Sequence, residues 1–126
     1  MAERVLVVVD HRPMVGMIQD ALTREGFLVE AAYDGPACLR SVEAERPDVI
    51  VLDVVMPGMD GLEVLRRLRD QVETRDIPVI LLTVRKEQGD LLAGYMAGAD
   101  LYVNKPCEIG ELIGAVRRML GAPKPA

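Results

Sequence analysis

Short runs of β-branched and aliphatic residues alternate along the chain with longer segments in which apolar residues recur every three or four positions. The short runs are typical of strands, and the longer segments are typical of amphipathic helices. Several runs are apolar throughout, as strands covered on both faces of a parallel sheet are. The pattern predicts five strands, over residues 5–9, 27–32, 49–52, 77–82 and 101–103.

Three of the segments between the strands carry clear helical stripes that we expect to face the sheet. The stripes consist of Met14, Met17, Ile18, Ala21 and Leu22, then Leu62, Leu65 and Leu68, and finally Ile109, Leu112, Ile113, Val116 and Leu120. Segments 35–45 and 86–97 are weaker helix predictions, since Gly89 and Gly94 in the second each cost about 1 kcal/mol relative to alanine. Repeated strand and helix units predict an α/β fold with a parallel sheet.

The 126 residues are 50% apolar and 28% charged, with a net charge of −5, which fits one globular domain. We expect that domain over residues 1–121, with the proline-containing segment 122–126 as a tail or a truncated linker. The two cysteines, Cys38 and Cys107, are too few for a disulfide framework and are expected to be free thiols.

The sequence argues against membrane and nucleic-acid partners. Its longest aliphatic run, residues 5–9, falls far short of the ~20 apolar residues that a membrane span needs, and the amino terminus lacks the apolar core of a signal peptide. The acidic balance has no basic cluster beyond two arginine pairs, at 66–67 and 117–118. We therefore expect a soluble cytoplasmic protein.

Polar residues end four of the predicted strands. Asp10 follows the first strand, Asp53 the third, Thr83 the fourth, and Lys105 lies just past the fifth. Each alone could be a cap, an ordinary strand residue or a solvated surface charge. Because the carboxyl ends of parallel strands meet at one edge of the sheet, their coincidence instead predicts a shared site.

The chemistry of these four side chains favours phosphoryl transfer. Two close carboxylates repel each other unless a cation lies between them, and an all-oxygen site suits Mg²⁺. One carboxylate could then attack a phosphoryl group, as in aspartyl-phosphate intermediates. The Lys105 ammonium would neutralise phosphoryl charge, and the Thr83 hydroxyl could donate a hydrogen bond to a phosphoryl oxygen.

Four features of the chain stand out together: the stretch Asp-Val-Val-Met-Pro-Gly-Met-Asp-Gly-Leu-Glu at 53–63, Thr83, Gly-Ala-Asp at 98–100 and Lys-Pro at 105–106. They carry a close resemblance, over almost the whole length of the chain, to the receiver domain of two-component response regulators, the CheY-like family. This resemblance is specific. It implies a flavodoxin-like, doubly wound sheet of five parallel strands in the order 2-1-3-4-5, with five helices.

The resemblance also assigns roles to individual residues. It implies that Asp53 is the phosphorylated aspartate, that Asp10 and Asp53 bind Mg²⁺, and that Val55 binds it through the backbone carbonyl. Thr83 and Tyr102 take the switch positions, and Lys105 contacts the phosphoryl group.

The partners follow from the same resemblance. A histidine kinase or a histidine phosphotransfer protein would be the phosphoryl donor. A signalling face built from the fourth predicted helix, the fifth strand and the fifth helix would contact a downstream protein or output domain. Such a domain is a switch and not an enzyme.

The first strand departs from the family pattern. The family usually ends this strand with two adjacent acidic residues, whereas here Val9 precedes Asp10. A shifted alignment that pairs Asp10 with His11 is conceivable, but imidazole is a poor Mg²⁺ ligand, and we expect His11 to be an exposed loop residue. With one carboxylate fewer, Mg²⁺ should bind more weakly, by about 1 to 4 kcal/mol for a lost attraction at ~4 Å.

Other functions remain open on this sequence. Val9 keeps open the alternative of a pseudo-receiver that binds a partner without phosphorylation. A flavodoxin-like electron carrier needs a hydroxyl- or glycine-rich loop after the first strand, where residues 10–13 read Asp-His-Arg-Pro. A metal-dependent acid phosphatase would need a general acid near Asp53, and none is obvious. The phosphorylated switch is the favoured hypothesis.

Overall fold

A computed structural model describes residues 2–84, 98–105 and 108–121, with 83, 84, 104 and 105 described by their backbone alone. These residues form five strands and four helices. The strands are β1 (Arg4–Val8), β2 (Leu28–Ala32), β3 (Val49–Asp53), β4 (Val79–Val84) and β5 (Leu101–Lys105). The helices are α1 (Arg12–Arg24), α2 (Gly35–Ala44), α3 (Gly61–Arg69) and α4 (Ile109–Met119).

The five strands form one sheet in the order β2-β1-β3-β4-β5, and every neighbouring pair is parallel. This confirms the predicted parallel sheet and its strand order. The central strands β1 and β3 are almost wholly buried, as apolar strands covered on both faces should be. The predicted helix over 86–97 and the predicted tail at 122–126 lie outside the described residues.

Alternate residues of the strands pack into two apolar layers, one on each face of the sheet. The first core cluster lies on the face covered by α1 and α4 and includes Val5, Val7, Val9, Ile18, Leu22, Leu112 and Val116. The second core cluster lies on the face covered by α2 and α3 and includes Leu6, Val8, Cys38, Ile50, Leu52, Leu65 and Leu68. The layered arrangement is that of a doubly wound α/β domain.

The helices begin and end at residues whose chemistry explains the boundaries. Asp34 and Asp60 cap α2 and α3 by accepting hydrogen bonds from the backbone N–H groups three residues on, at 2.8 and 3.0 Å. Gly26 follows α1 with a φ of +97°, a backbone conformation that favours glycine at helix ends. The observation of α2 confirms the weakly predicted helix at 35–45.

Two residues assigned to buried stripes are exposed. Met17 is 65% exposed, and the buried residues of α1 are Val15, Ile18 and Leu22. The predicted stripe has the correct helical period, but the buried face of α1 is rotated from it by part of a turn. Met14, Val15, Met17 and Ile18 are all apolar, so the sequence allows more than one apolar face. Ile109 is 39% exposed at the first position of α4, one turn before the buried Leu112.

The described helices are short. None of them combines the length and the apolar character that crossing a membrane would require. Of the two cysteines, Cys38 is free and buried, while Cys107 lies outside the described residues. Burial raises the pKa of the Cys38 thiol to about 12.

Candidate functional site

The register of the sheet brings the predicted strand ends to one edge. Asp53 pairs with Leu82 of β4, and Leu82 pairs in turn with Val103 of β5. Thr83 therefore lies one residue past the row that contains Asp53, opposite Asn104. The backbone of Lys105 lies opposite Val84, one residue further along. The site positions on β3, β4 and β5 are thus neighbours along the carboxyl edge of the sheet.

On the other side of β3, β1 brings Asp10 to the same edge. Val8 pairs with Leu52, so Val9 follows beside Asp53 and Asp10 extends past the strand end. The Val9 N–H donates to the carbonyl of Ala32 on β2 at 3.2 Å, which continues the sheet for one residue. Asp10 itself is exposed. The two carboxylates predicted to form the site therefore lie on adjacent segments.

Asp53 differs from the other acidic residues in its burial. It is only 2% exposed, and in the part of the chain that the structure describes it is the single polar residue in the buried set. Removing a carboxylate from water is costly and needs compensating interactions. The buried carboxylate at the end of the central strand β3 therefore indicates a functional role for Asp53.

The backbone after Asp53 is held from two sides. The Val54 N–H donates to the carbonyl of Leu82 on β4 at 3.0 Å, and the Val54 carbonyl accepts from the N–H of Gly61 at 2.8 Å. Within the loop, Met56 is buried, and Gly58 adopts a φ of +76° that a side chain would strain. The chain thus leaves β3 along a fixed path and enters α3.

The oxygen donors proposed for Mg²⁺ are the carboxylates of Asp10 and Asp53 and the backbone carbonyl of Val55. Carboxylate and carbonyl oxygens are the donors that Mg²⁺ prefers, and a site with few protein ligands leaves positions for water and phosphate oxygens. Among the described residues, no group of three or more acidic, histidine or cysteine side chains that could hold a metal ion is found. The donors fit Mg²⁺ in type but include one carboxylate fewer than is usual in the resembled family.

Val9 explains the missing carboxylate. Its side chain is fully buried in the first core cluster, in line with Val5 and Val7 on the same face of β1. The apolar layer therefore extends to the rim of the site on this side. His11, next to Asp10, is exposed, as expected, and its Nδ1 accepts a hydrogen bond from the Met14 N–H at 3.3 Å. His11 thus serves as the cap of α1.

Tyr102, predicted as a switch residue, lies on β5 opposite Leu81. Its side chain is partly buried and packs against the second core cluster. For Thr83 and Lys105 the structure gives the backbone positions in β4 and β5, so their side-chain roles stay predictions. Thr83 lies on β4, the strand next to that of Asp53, and Tyr102 and Lys105 lie on β5, one strand further.

An aromatic and cationic pair at the rim escaped the sequence analysis. The guanidinium carbon of Arg12, at the start of α1, lies 3.9 Å from the centre of the Tyr33 ring, just past β2. Stacking of this kind holds a cation over an aromatic face. A positive charge is therefore fixed close in sequence to Asp10. The two residues are 21 positions apart and lie on different elements, so no local sequence motif predicts the pair.

A second feature absent from the sequence analysis anchors the start of β5. The Arg69 guanidinium donates to the carbonyls of Gly98 and Ile77 and to the Asp100 carboxylate, each at 2.9 Å. The same Asp100 oxygen accepts from the Val79 N–H at 2.8 Å. Burial lowers the pKa of Arg69, and the charge of Asp100 opposes that shift. This group fixes the end of α3 to β4 and β5, at the opposite end of those strands from Asp53.

Comparison with known proteins finds relatives over nearly the whole chain. The family profile described as "Response regulator receiver domain" matches residues 5–117. The response regulator MprA of Mycobacterium bovis (strain BCG / Pasteur 1173P2) is 42% identical over 125 residues, which cover 99% of this chain and 54% of that protein. The chain therefore spans about half the length of the curated relatives that it matches.

Solved structures give the same result. A putative response regulator from Chloroflexus aurantiacus superposes with a TM-score of 0.91 at 30% identity, covering 96% of this chain and 99% of that one. The receiver domain of a signal transduction histidine kinase from Syntrophus aciditrophicus superposes with a TM-score of 0.90 at 34% identity, covering 99% and 95%. The described fold is thus that of receiver domains.

Proposed function

The chain belongs to the response regulator receiver domain family, and from this membership we propose that Asp53 accepts a phosphoryl group from a histidine kinase or a histidine phosphotransfer protein. The observation that carries the proposal is the burial of Asp53 at the carboxyl end of the central strand β3. A carboxyl group is retained there among buried residues that are otherwise apolar in the described part of the chain, at the edge where the proposed partner residues meet.

In the proposed transfer, an Oδ of Asp53 attacks the phosphorus of a phosphohistidine. A new P–O bond forms as the P–N bond breaks, and the leaving imidazole takes up a proton from solvent. Aspartate must be ionised to attack, so cationic groups near it favour the reactive form. The Lys105 ammonium balances charge on the phosphoryl oxygens, and the Thr83 hydroxyl donates to one of them.

Mg²⁺ would be held by Asp10, Asp53 and the Val55 carbonyl. When bound, it neutralises charge on the transferred phosphoryl oxygens. The exposed carboxylate of Asp10 and the buried carboxylate of Asp53 are suited to different parts of this task. The Asp10 carboxylate would help to hold the cation, while Asp53 would also present the nucleophile.

Phosphorylation adds about −1.5 to −2 charges at Asp53. In the proposed switch, Thr83 moves toward this charge and Tyr102 turns into the vacated space. The surface that changes comprises the helix predicted over 86–97, β5 and α4. Because the described chain spans about half the length of its relatives, we propose that this surface acts on an output domain or a separate protein in the cytoplasm.

The pseudo-receiver is the second candidate function, and the burial of Val9 favours it. An apolar residue beside Asp53 weakens the cation site without disturbing the fold. In this alternative, the surface formed by β5 and its flanking helices recognises a partner in the unphosphorylated state.

Incubation with acetyl phosphate and Mg²⁺, followed by intact-mass analysis, separates the two functions. Acetyl phosphate transfers its phosphoryl group to the carboxylate as the acyl P–O bond breaks and acetate leaves. The phosphorylated switch predicts the mass gain of one phosphoryl group in the wild type and none in Asp53→Asn. Equal modification of both proteins, or of neither, would contradict the proposed phosphorylation of Asp53.

A further inference from the structure

The first residue of α3 is in direct contact with the backbone of Asp53. The Gly61 N–H donates to the Val54 carbonyl at 2.8 Å. A Cβ built on Gly61 would lie 2.2 Å from the carbonyl oxygen of Asp53 and 2.9 Å from the Cα of Val54. Real Cβ atoms do not approach other atoms this closely, so a side chain at position 61 would displace backbone on one side or the other.

The requirement for glycine here comes from contact and not from backbone conformation. The described glycines with positive φ are Gly26, Gly58, Gly98 and Gly121, and Gly61 is not among them. An alanine could adopt the helical conformation of Gly61 and is the better helix former. An alanine would therefore raise the helix propensity of α3, and what opposes it is the close approach to the Asp53–Val54 backbone.

The peptide between Asp53 and Val54 is enclosed by two elements. On one side, β4 accepts the Val54 N–H through Leu82 at 3.0 Å. On the other side, Gly61 contacts the Asp53 carbonyl and binds the Val54 carbonyl. Asp60 fixes the position of this first turn by accepting the Glu63 N–H at 3.0 Å.

We propose that Gly61 is a positioning residue for phosphoryl transfer, and that its lack of a side chain lets α3 hold the Asp53 backbone where the carboxylate can attack. This inference rests on the proposed function. The same contact fixes the peptide that leads to Val55, whose carbonyl is a proposed Mg²⁺ ligand. Gly61 thereby aligns the nucleophile and one cation donor without touching the phosphoryl group.

The test compares Gly61→Ala with wild type in acetyl phosphate reactions at saturating Mg²⁺. Misplacing a reacting group by about 1 Å can cost roughly 100-fold in rate, so we expect phosphorylation to slow by about 10- to 100-fold. The concentration of acetyl phosphate at half-maximal rate should change little, because the phosphodonor contacts lie elsewhere. Hydrogen exchange of the Val54 amide should accelerate as its bond to Leu82 is disturbed.

Two control variants separate positioning from general effects. Gly16→Ala makes the same chemical change inside α1, where no atom lies within 4 Å of the added methyl group, and should leave the rate unchanged. Leu68→Ala destabilises α3 from the second core cluster, at the helix end remote from Asp53, and should lower stability without slowing transfer in the folded protein.

Results of three kinds decide the outcome. Suppose that folded Gly61→Ala is phosphorylated as fast as Leu68→Ala and that its Val54 amide exchanges hydrogen at the wild-type rate. The methyl group has then moved α3 without moving the Asp53 backbone, and the inference is wrong. If Gly61→Ala does not fold, Asp60→Ala replaces it, with Asp34→Ala at the equivalent cap of α2 as its control. Equal transfer rates in those two variants would also overturn the inference. An unmodified wild type would instead contradict the proposed function itself, while Val54 exchange still reports on the contact.

Discussion

Val9 is the residue at which this chain departs most clearly from the family pattern. It is fully buried, and the register of β1 places it beside Asp53. An acidic side chain at this position would have to leave the first core cluster for the rim of the site. The apolar residue therefore improves packing at β1 and removes a charge that would attract Mg²⁺.

We expect Val9→Asp to tighten Mg²⁺ binding by about 5-fold or more, since one added attraction at ~4 Å contributes about 1 to 4 kcal/mol. Without Mg²⁺ the variant should be less stable than wild type, because a carboxylate replaces a buried methyl pair. Titration of phosphorylation rate against Mg²⁺ measures the first effect. Val9→Asn, which has the same shape without the charge, should lose stability and gain no affinity. Equal Mg²⁺ affinity in the two variants would rule out this account of Val9.

Cys38 provides a prediction for pH dependence. Its pKa is raised by burial to about 12 from 9.0. An unfolded thiol therefore ionises from about pH 9, whereas the folded thiol stays protonated. The contribution of the Cys38 thiol to the free energy of unfolding is thus fully present below pH 9 and is lost as pH rises toward 12. Wild type should lose up to about 1.4 kcal/mol of unfolding free energy per pH unit more than Cys38→Ala in this window. Urea unfolding of both proteins at pH 8.0 and about pH 10.5 measures the difference. Parallel pH profiles would show that Cys38 does not titrate in this way.

The sequence was sufficient to place polar residues that stand at the end of a predicted strand. Asp10 and Asp53 follow apolar runs, so the convergence of parallel strands was sufficient to place them together. The sequence shows Gly61 only as one residue of the stretch 53–63 that carries the family resemblance, because its close approach to Asp53 depends on how α3 packs. The stacking of Arg12 on Tyr33 was also invisible, since nothing local joins the two positions.

Among the elements, α3 connects the site to the far end of the sheet. Its first residue contacts the Asp53 backbone, and its last residue, Arg69, binds the segment that precedes β5. The side chain of Arg69 is 19% exposed and supplies three hydrogen bonds to separate acceptors. The helix is thus fixed at both ends.

Replacement of Arg69 should therefore destabilise the domain. We expect Arg69→Ala to lose about 2 to 4 kcal/mol of unfolding free energy, because two carbonyls and a carboxylate lose a charged donor. Arg69→Lys should recover little, since an ammonium does not reproduce the planar fork of a guanidinium. Arg66→Ala on the same helix removes only an exposed ion pair with Glu63 and should change stability by less than about 0.5 kcal/mol. Denaturant unfolding of the three variants checks the order, and similar losses for Arg66→Ala and Arg69→Ala would contradict it.

Helix orientation was less predictable than helix existence. In α1, Met14, Val15, Met17 and Ile18 allow more than one apolar face, and packing against the sheet selects the one that buries Val15 and Ile18. The exposed Met17 was assigned wrongly for this reason. β1 and β3 posed no such ambiguity, because both of their faces are buried and every residue is apolar except Arg4 at the start of β1 and Asp53 at the end of β3.

For the whole molecule, the parallel sheet follows from alternating strand and helix patterns, whereas the order β2-β1-β3-β4-β5 came from family resemblance. Period alone does not determine which strands are neighbours. The order matters for function because it places β3 centrally, with Asp10 on one side and the proposed switch strands on the other. The chain spans about half the length of the curated relatives that it matches.

The most direct test of the account is the location of the phosphoryl group. After reaction with acetyl phosphate and Mg²⁺, borohydride reduces an aspartyl phosphate to homoserine, and peptide sequencing by mass spectrometry identifies the modified position. If Asp53 is the phosphoacceptor, homoserine will be found at position 53 in wild type and will be absent from Asp53→Asn. Homoserine at Asp10 or another carboxylate, with position 53 unmodified, would contradict it.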